Sequence, residues 1–213
     1  MASRAMIVAA GGSAARFGGE KLLAEVAGRP LIAHTLEAVL PTADVTVVAA
    51  RAGLEGPIES LGLDVIVTRG GATRTLSELA ALTALGREVD LIGAHDAARP
   101  LVKPSMIETL FATAERLGGA VPALAPKAPM VSRRRLEPVV GAVRAQTPQV
   151  FRGPALLAAY VRAAKTGFDG HDTADVIQRF SDLDIACVEG DPENIKVTFP
   201  EDLETVGSRL EAR

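Results

Sequence analysis

The chain has little aromatic character and almost no thiol or imidazole. Its 213 residues hold six Phe, one Tyr and no Trp, so aromatics make up 3%. That scarcity argues against an aromatic stacking platform for single-stranded nucleic acid. The core has to be built from Ala, Leu, Val and Ile. A single Cys, Cys187, excludes an internal disulfide framework. His34, His95 and His171 are scattered, which with one Cys excludes a zinc site of His/Cys type. Lys and Arg number 23 against 26 Asp and Glu, a net charge of −3. That balance argues against nucleic acid as a partner, because such binders carry a basic excess. No apolar run approaches the roughly 20 residues that span a bilayer, so no membrane partner is expected. The first residues, Met1-Ala2-Ser3-Arg4, precede an apolar run of only strand length. A cytoplasmic protein without a targeting segment is the expectation.

What is present is a rhythm of short apolar runs and helical periods. Strands are predicted over 5–10, 44–50, 65–67, 91–95 and 120–124, with Asp96 at the end of the fourth. Helices are predicted over 30–40, 73–85 and 103–117, the last stopped by Gly118-Gly119. Residues 126–135 break the pattern with two prolines and the run Arg133-Arg134-Arg135, and order resumes over 139–146. Helices follow over 154–165 (Leu157, Tyr160, Val161 and Ala164 inward), 173–180 and 200–210, with strands over 185–188 and 194–198. Cys187 reads as an inert core thiol, His34 as a packed helix residue, and Asp172 or Thr173 as an N-cap. Alternating strands and helices imply an α/β fold, a mostly parallel sheet covered on both faces. We read residues 1–213 as a single domain with a short protruding arm at about 126–145.

In such a sheet ligands bind beyond the carboxyl ends of the strands. The first strand runs into Ala9-Ala10-Gly11-Gly12, then Arg16, Gly18-Gly19 and Lys21. Glycines let backbone N–H groups close on phosphate oxygens, and the two cations add fixed positive charge. The loop is neither a Walker A loop nor GxGxxG, and alone it is also compatible with a solvated turn. The third strand ends in Gly70-Gly71, with Arg74 and Ser77 in the first helical turns behind it. The fourth ends in His95-Asp96-Ala97-Ala98-Arg99-Pro100, where Asp96 suits either an N-cap or a Mg²⁺ ligand. Lys196 lies among apolar neighbours late in the chain, snorkelling or paired with an anion. Together these strand ends describe a nucleotide site with one metal and at least two cations.

The segments AAGGSAARFGGEK, GGATRTLS, HDAARP, QTPQVF and ENIKVTFPED occur in that order and span nearly the whole chain. Together they resemble the 2-C-methyl-D-erythritol 4-phosphate cytidylyltransferases of the non-mevalonate route to isoprenoids. The resemblance implies a three-layer Rossmann-like nucleotidyltransferase fold, CTP as donor, Mg²⁺, a small phosphorylated acceptor and a homodimer with exchanged arms. Carried over by motif, Ala9, Ala10, Gly11 and Gly12 would cradle CTP, while Gly71, Arg74 and Ser77 would shape the cytosine pocket. Asp96 would hold Mg²⁺, Arg99 would sit near the acceptor phosphate, and Thr147 would line the acceptor site. Arg16, Lys21 and Lys196 would stabilise the transition state.

Three features depart from the family pattern. The loop up to Arg16 is one residue longer, as in the molybdenum-cofactor nucleotidyltransferases, and Glu20 replaces the usual Pro before the Lys. The Asp-Thr pair expected after the fifth strand is absent from Pro126-Lys127-Ala128-Pro129-Met130. The arm arginine expected eight residues before Thr147 is Val139, with Arg133, Arg134, Arg135 and Arg144 as substitutes. The last two changes fall on the acceptor side. They leave two alternatives beside the methylerythritol substrate: another phosphate or phosphonate acceptor, and a CTP-binding module without turnover.

Overall fold

The computed structural model describes residues 2–12, 16–126 and 141–212. The first strand, β1 (Arg4–Ala10), is followed by a two-residue hairpin, β2 (Glu25–Val26) and β3 (Arg29–Pro30), and by α1 (Leu31–Val39). Then come β4 (Val45–Ala50), α2 (Glu55–Glu59), β5 (Ile66–Arg69), α3 (Arg74–Ala84), β6 (Leu91–Asp96) and α4 (Pro104–Leu117). The second half holds β7 (Gly119–Leu124), β8 (Arg144–Ala145), β9 (Gln149–Arg152), α5 (Gly153–Thr166), α6 (Thr173–Phe180), β10 (Ile185–Glu189) and α7 (Asp202–Glu211).

The main sheet has the order β10-β7-β9-β6-β1-β4-β5, with β8 attached to β7. Pairs β1–β4, β1–β6, β4–β5 and β7–β10 are parallel. The β9 strand is antiparallel to both β6 and β7. Alternate residues of β1 therefore serve opposite faces. Met6 and Val8 join α1 and α4 through Leu36, Leu110 and Phe111. Ala5 and Ile7 join α3, α5 and α6 through Leu82, Tyr160 and Ile177. Helices on both faces make this the expected three-layer arrangement, with the mostly parallel sheet at its centre. The register sets Ala9 opposite Asp96 and Ala10 opposite Ala50, so the ends of β1, β6 and β4 open on one edge.

Local signals explain the boundaries. Thr73 caps α3, its side chain accepting from the Leu76 N–H at 3.2 Å. Pro104 opens α4, and Gly118 ends it with φ of 104°. Asp172, one of the two proposed caps, accepts from the Asp175 N–H at 2.9 Å. His34 is half-buried, with Nε2 2.8 Å from the Val26 carbonyl.

Several expectations need correction. Residues 194–198 form no strand; the Asn194, Ile195 and Val197 N–H groups bond to isolated backbone carbonyls, and side chains take the Asn194 and Val197 carbonyls. Helix α5 turns Leu156, Ala159, Tyr160 and Ala163 inward, while Leu157 and Val161 are exposed, because the helix begins at Gly153 and its apolar face is rotated by about one residue. Cys187 is exposed, because it lies on β10, the edge strand of the sheet. The order expected over 139–146 is confined, among the described residues, to β8, and strand β9 over QVFR has no counterpart among the predicted strands. Most of the expected arm, with Arg133, Arg134, Arg135 and Val139, lies outside the described residues. Its roots are adjacent: Ala123 pairs Ala145 and Leu124 pairs Arg144 in antiparallel register.

Gly153 gives a direct test of this packing. A Cβ there would lie 2.0 Å from the Val89 carbonyl oxygen, which is backbone and has no rotamer to change. Gly153→Ala is expected to lower unfolding free energy by about 1–3 kcal/mol. The urea midpoint should fall at unchanged slope, and an unmoved midpoint would refute the close approach.

Candidate active site

The open edge of the sheet holds a cavity of about 340 Å³. The end of β1 supplies Ala9, Gly11 and Gly12 to its wall, and the following loop supplies Arg16 and Lys21. The turn after β5 supplies Gly71, and α3 supplies Arg74 and Ser77. Asp96 comes from the end of β6, and Lys196 from the segment after β10. Four separated stretches of chain thus meet as the sequence predicts. Of the nominated residues, Ala10, Arg99 and Thr147 do not line the cavity. Ala10 is buried in the sheet, and the other two stand behind Asp96.

Three of the glycines here, Gly11, Gly70 and Gly71, are spatial requirements. A Cβ on Gly71 would sit 2.4 Å from the Leu76 Cβ. Cβ atoms on Gly11 and Gly70 would come within 3.2 and 3.0 Å of the Ser77 hydroxyl. Ser77 is thus wedged between the ends of β1 and β5, its Oγ 2.8 Å from the Thr73 carbonyl and 3.1 Å from that of Gly71. It fixes the turn that leaves the N-terminus of α3 facing the cavity. Glu20 anchors the longer loop on the other side. It accepts from the Leu22 N–H and pairs with Arg51 at the end of β4.

Asp96 is the electrostatic centre. Its Oδ1 lies 2.9 Å from Arg74 Nη1. Its Oδ2 lies 2.9 Å from Lys196 Nζ and 3.4 Å from Arg99 Nε. Burial alone would raise the carboxyl's pKa, but Arg74, Lys196 and Arg99 outweigh it and hold it well below the usual carboxylate range. Arg74 is itself held from behind. Its Nε lies 2.9 Å from Glu78 Oε1. Burial would weaken its hold on the proton, but Glu78 and Asp96 strengthen it further and keep the guanidinium charged. The buried Glu78 also accepts from the Tyr160 phenol and, at 2.9 Å, from the Thr173 hydroxyl.

Behind Asp96, the Thr147 hydroxyl accepts from the Asp96 N–H at 3.1 Å and lies 3.1 Å from His95 Nδ1. His95 Nε2 lies 3.3 Å from the Arg99 carbonyl. A carbonyl only accepts, so Nε2 carries the proton and Nδ1 accepts from Thr147. Burial pushes the imidazole pKa down to about 4, so this neutral form persists at pH 7. His95 is therefore tied into the wall and is no free base.

Lys21 donates to the Val197 carbonyl at 3.0 Å, joining the Gly-rich loop to the Lys196 segment. Burial, then the charge of Lys196, lowers its pKa below that of an ordinary lysine. Arg16 spans the same mouth, its guanidinium 5.9 Å from the Phe199 ring centroid. The cavity thus presents four cations (Arg16, Lys21, Arg74, Lys196) and one carboxylate, in a chain of net charge −3. Such a local excess attracts a polyanion. Glu78, Gln146 and Asn194, which hold these groups in place, were not nominated. Gln146 and Asn194 act on distant backbone that no local spacing marks, whereas the i,i+4 spacing of Arg74 and Glu78 on α3 is a signal the sequence carries.

Comparison with known proteins gives a consistent answer. The family model for 2-C-methyl-D-erythritol 4-phosphate cytidylyltransferase (IspD) matches residues 4–211. A protein of that name from Cereibacter sphaeroides is 39% identical, over 95% of this chain and 94% of its own length. A bifunctional IspD/IspF enzyme from Bradyrhizobium diazoefficiens is 36% identical over 98% of this chain, and the chain spans just over half of that relative, 56%. The crystal structure of the cytidylyltransferase from Thermus thermophilus superposes with a TM-score of 0.79 at 29% identity, over 99% of this chain and 100% of that one. The chain belongs to the 2-C-methyl-D-erythritol 4-phosphate cytidylyltransferase family.

Proposed function

We propose that the chain transfers CMP from CTP to 2-C-methyl-D-erythritol 4-phosphate and releases pyrophosphate, a step in isoprenoid biosynthesis. The observation that carries this reading is the ionised Asp96, ringed by Arg74, Arg99 and Lys196, at the wall of a cavity that Lys21 and Arg16 also enter.

The residues suit that chemistry. A phosphomonoester has a second pKa of about 6, so the acceptor is largely a dianion at pH 7 and needs no general base. His95, neutral and locked, supplies none. The barrier is the meeting of two anions and the charge that develops on the leaving pyrophosphate. Lys21, Arg16 and Lys196 meet that charge from the cavity mouth. The N–H groups of Gly11 and Gly12 would serve the nucleotide phosphates, and Gly71, Arg74 and Ser77 the base. Arg99 and Thr147 act from behind Asp96, holding the turn between donor and acceptor.

The donor set also fits Mg²⁺. The described residues contain no cluster of three or more His, Cys, Asp or Glu that could hold a metal. One ionised carboxylate completed by phosphate oxygens and water is the set Mg²⁺ prefers. Asp96 would hold the ion, which would neutralise phosphate charge. A homodimer, which rests on the family resemblance, and a cytoplasmic setting belong to the same proposal. No helix among the described residues is long and apolar enough to cross a membrane.

The test is pyrophosphate release from CTP with methylerythritol phosphate, beside other polyol phosphates and phosphonates. Release with methylerythritol phosphate and Mg²⁺, abolished by chelation and restored by added Mg²⁺, is expected. Release only with another acceptor would overturn the substrate assignment, and none with any acceptor would overturn transfer itself. Lys21→Ala should lower kcat about 10²–10³-fold in a folded protein, by analogy with loss of one positioned donor. A near wild-type rate would remove Lys21 from the mechanism. Lys21 acts as a cation, and its lowered pKa means that the charge is lost as pH rises, at lower pH than for a free lysine. Activity should therefore fall on the alkaline side, and Lys21→Arg should shift that limb upward. An unmoved limb would assign it to another group.

A further inference from the structure

Lys196 stands on backbone that belongs to no strand, yet its ammonium meets Asp96 at 2.9 Å. Something other than a ladder must hold residues 191–197. At one end the Val197 N–H donates to the Ala98 carbonyl at 2.9 Å. At the other end the Gly190 N–H donates to the Ala123 carbonyl at 2.9 Å and Lys103 meets Asp191 at 2.8 Å, but the group that takes the backbone of both Asp191 and Asn194 is the buried side chain of Gln146. Its Oε1 accepts from the Asp191 N–H at 3.0 Å. Its Nε2 donates to the Asp191 carbonyl at 2.8 Å and to the Asn194 carbonyl at 3.2 Å. A primary amide carries one acceptor and two donors in a plane, so it closes on a backbone segment as a neighbouring strand would. Gln146 is itself fixed, its N–H donating to the Pro122 carbonyl at 2.7 Å.

Neighbouring groups complete the fastening. The Asn194 amide donates to the Thr147 carbonyl at 2.8 Å, and Arg99 Nη1 donates to the Asn194 carbonyl at 2.7 Å. The Asn194 carbonyl therefore receives both Gln146 and Arg99. Gly190 lies so close that a Cβ there would sit 2.5 Å from Gln146 Oε1. Lys196 leaves the chain two residues after the Gln146 attachment and one before Val197.

We propose that Gln146 is a positioning residue for Lys196: its side-chain amide fastens residues 191–194 and so sets where the cation meets Asp96. The proposal rests on the reading of the site as a cytidylyl-transfer centre. Gln146 touches no reacting atom; it acts through Lys196 and, by the shared carbonyl, through Arg99.

Two measurements test it, one independent of turnover. In amide hydrogen exchange, Gln146→Ala should speed exchange over 191–195 at least about tenfold while β1 and β6 keep their protection. Gly190→Ala, which drives a methyl into the same amide, should do the same. Unchanged exchange over 191–195 in both variants overturns the proposal. The second measurement is a double-mutant cycle on kcat/KM. Gln146→Ala should cost about 10–100-fold, mainly in kcat, in the wild-type background, and less than about threefold in a Lys196→Ala background. Gln146→Glu keeps the shape and one acceptor but loses both donors, and should be no better than Gln146→Ala. Equal costs in the two backgrounds would reduce Gln146 to general stability and overturn its action through Lys196. No turnover in the wild-type protein would instead overturn the transfer reading, and exchange would then decide whether Gln146 fastens the segment.

Discussion

The structure of the site depends on one buried carboxylate. Asp96 stays ionised only because three cations reach it, and each comes from a different place: Arg74 from α3, Arg99 from the turn after β6, and Lys196 from the segment after β10. A buried charge without partners costs several kcal/mol, so the carboxylate and its cations are mutually obligatory. The same ties that neutralise Asp96 hold the end of the sheet together. Glu78 repeats the device one layer deeper: its Oε1 faces Arg74 from behind and its Oε2 accepts from Tyr160 and Thr173, joining α3 to α5 and α6.

The architecture is legible where periodicity is strong. Strands at 5–10, 44–50 and 91–95 and the helix at 173–180 follow from apolar runs, caps and glycine stops. Local patterns mislead where tertiary context decides. Apolar character at 194–198 suggests a strand, but the partners are scattered backbone carbonyls and side chains rather than a ladder. The buried face of α5 is ambiguous in sequence because its alanine-rich run offers apolar residues on more than one side. Cys187 has apolar neighbours like a core residue, while its position on an edge strand is not encoded locally. At the site, the Gly-rich loop, Asp96 and Lys196 are legible because each follows a strand end. Gln146 is not, since it acts on backbone far away in sequence; Glu78 is marked by its i,i+4 spacing from Arg74, while its bonds to Tyr160 and Thr173 are not.

The charge pattern has its own logic. A chain with an acidic total concentrates cations where strand ends and the N-terminus of α3 converge. The acidic background keeps nonspecific polyanions away, and the basic recess is small enough to reward a compact one. Glu20 adds no charge to the cavity because Arg51 neutralises it. The loop gains an anchor at the end of β4 without losing its positive face.

The bond from Lys21 to the Val197 carbonyl crosses 176 positions of sequence. During synthesis the ribosome delivers the Gly-rich loop, Arg74 and Asp96 long before it delivers Lys196. A nascent chain stopped before residue 190 would hold a β6 carboxylate missing one of its three cations and a loop lysine without its carbonyl. Contacts of such span form late in folding. The cationic recess is therefore complete only once residues 191–197 have been made, and a premature chain lacks part of the charge that draws a polyanion.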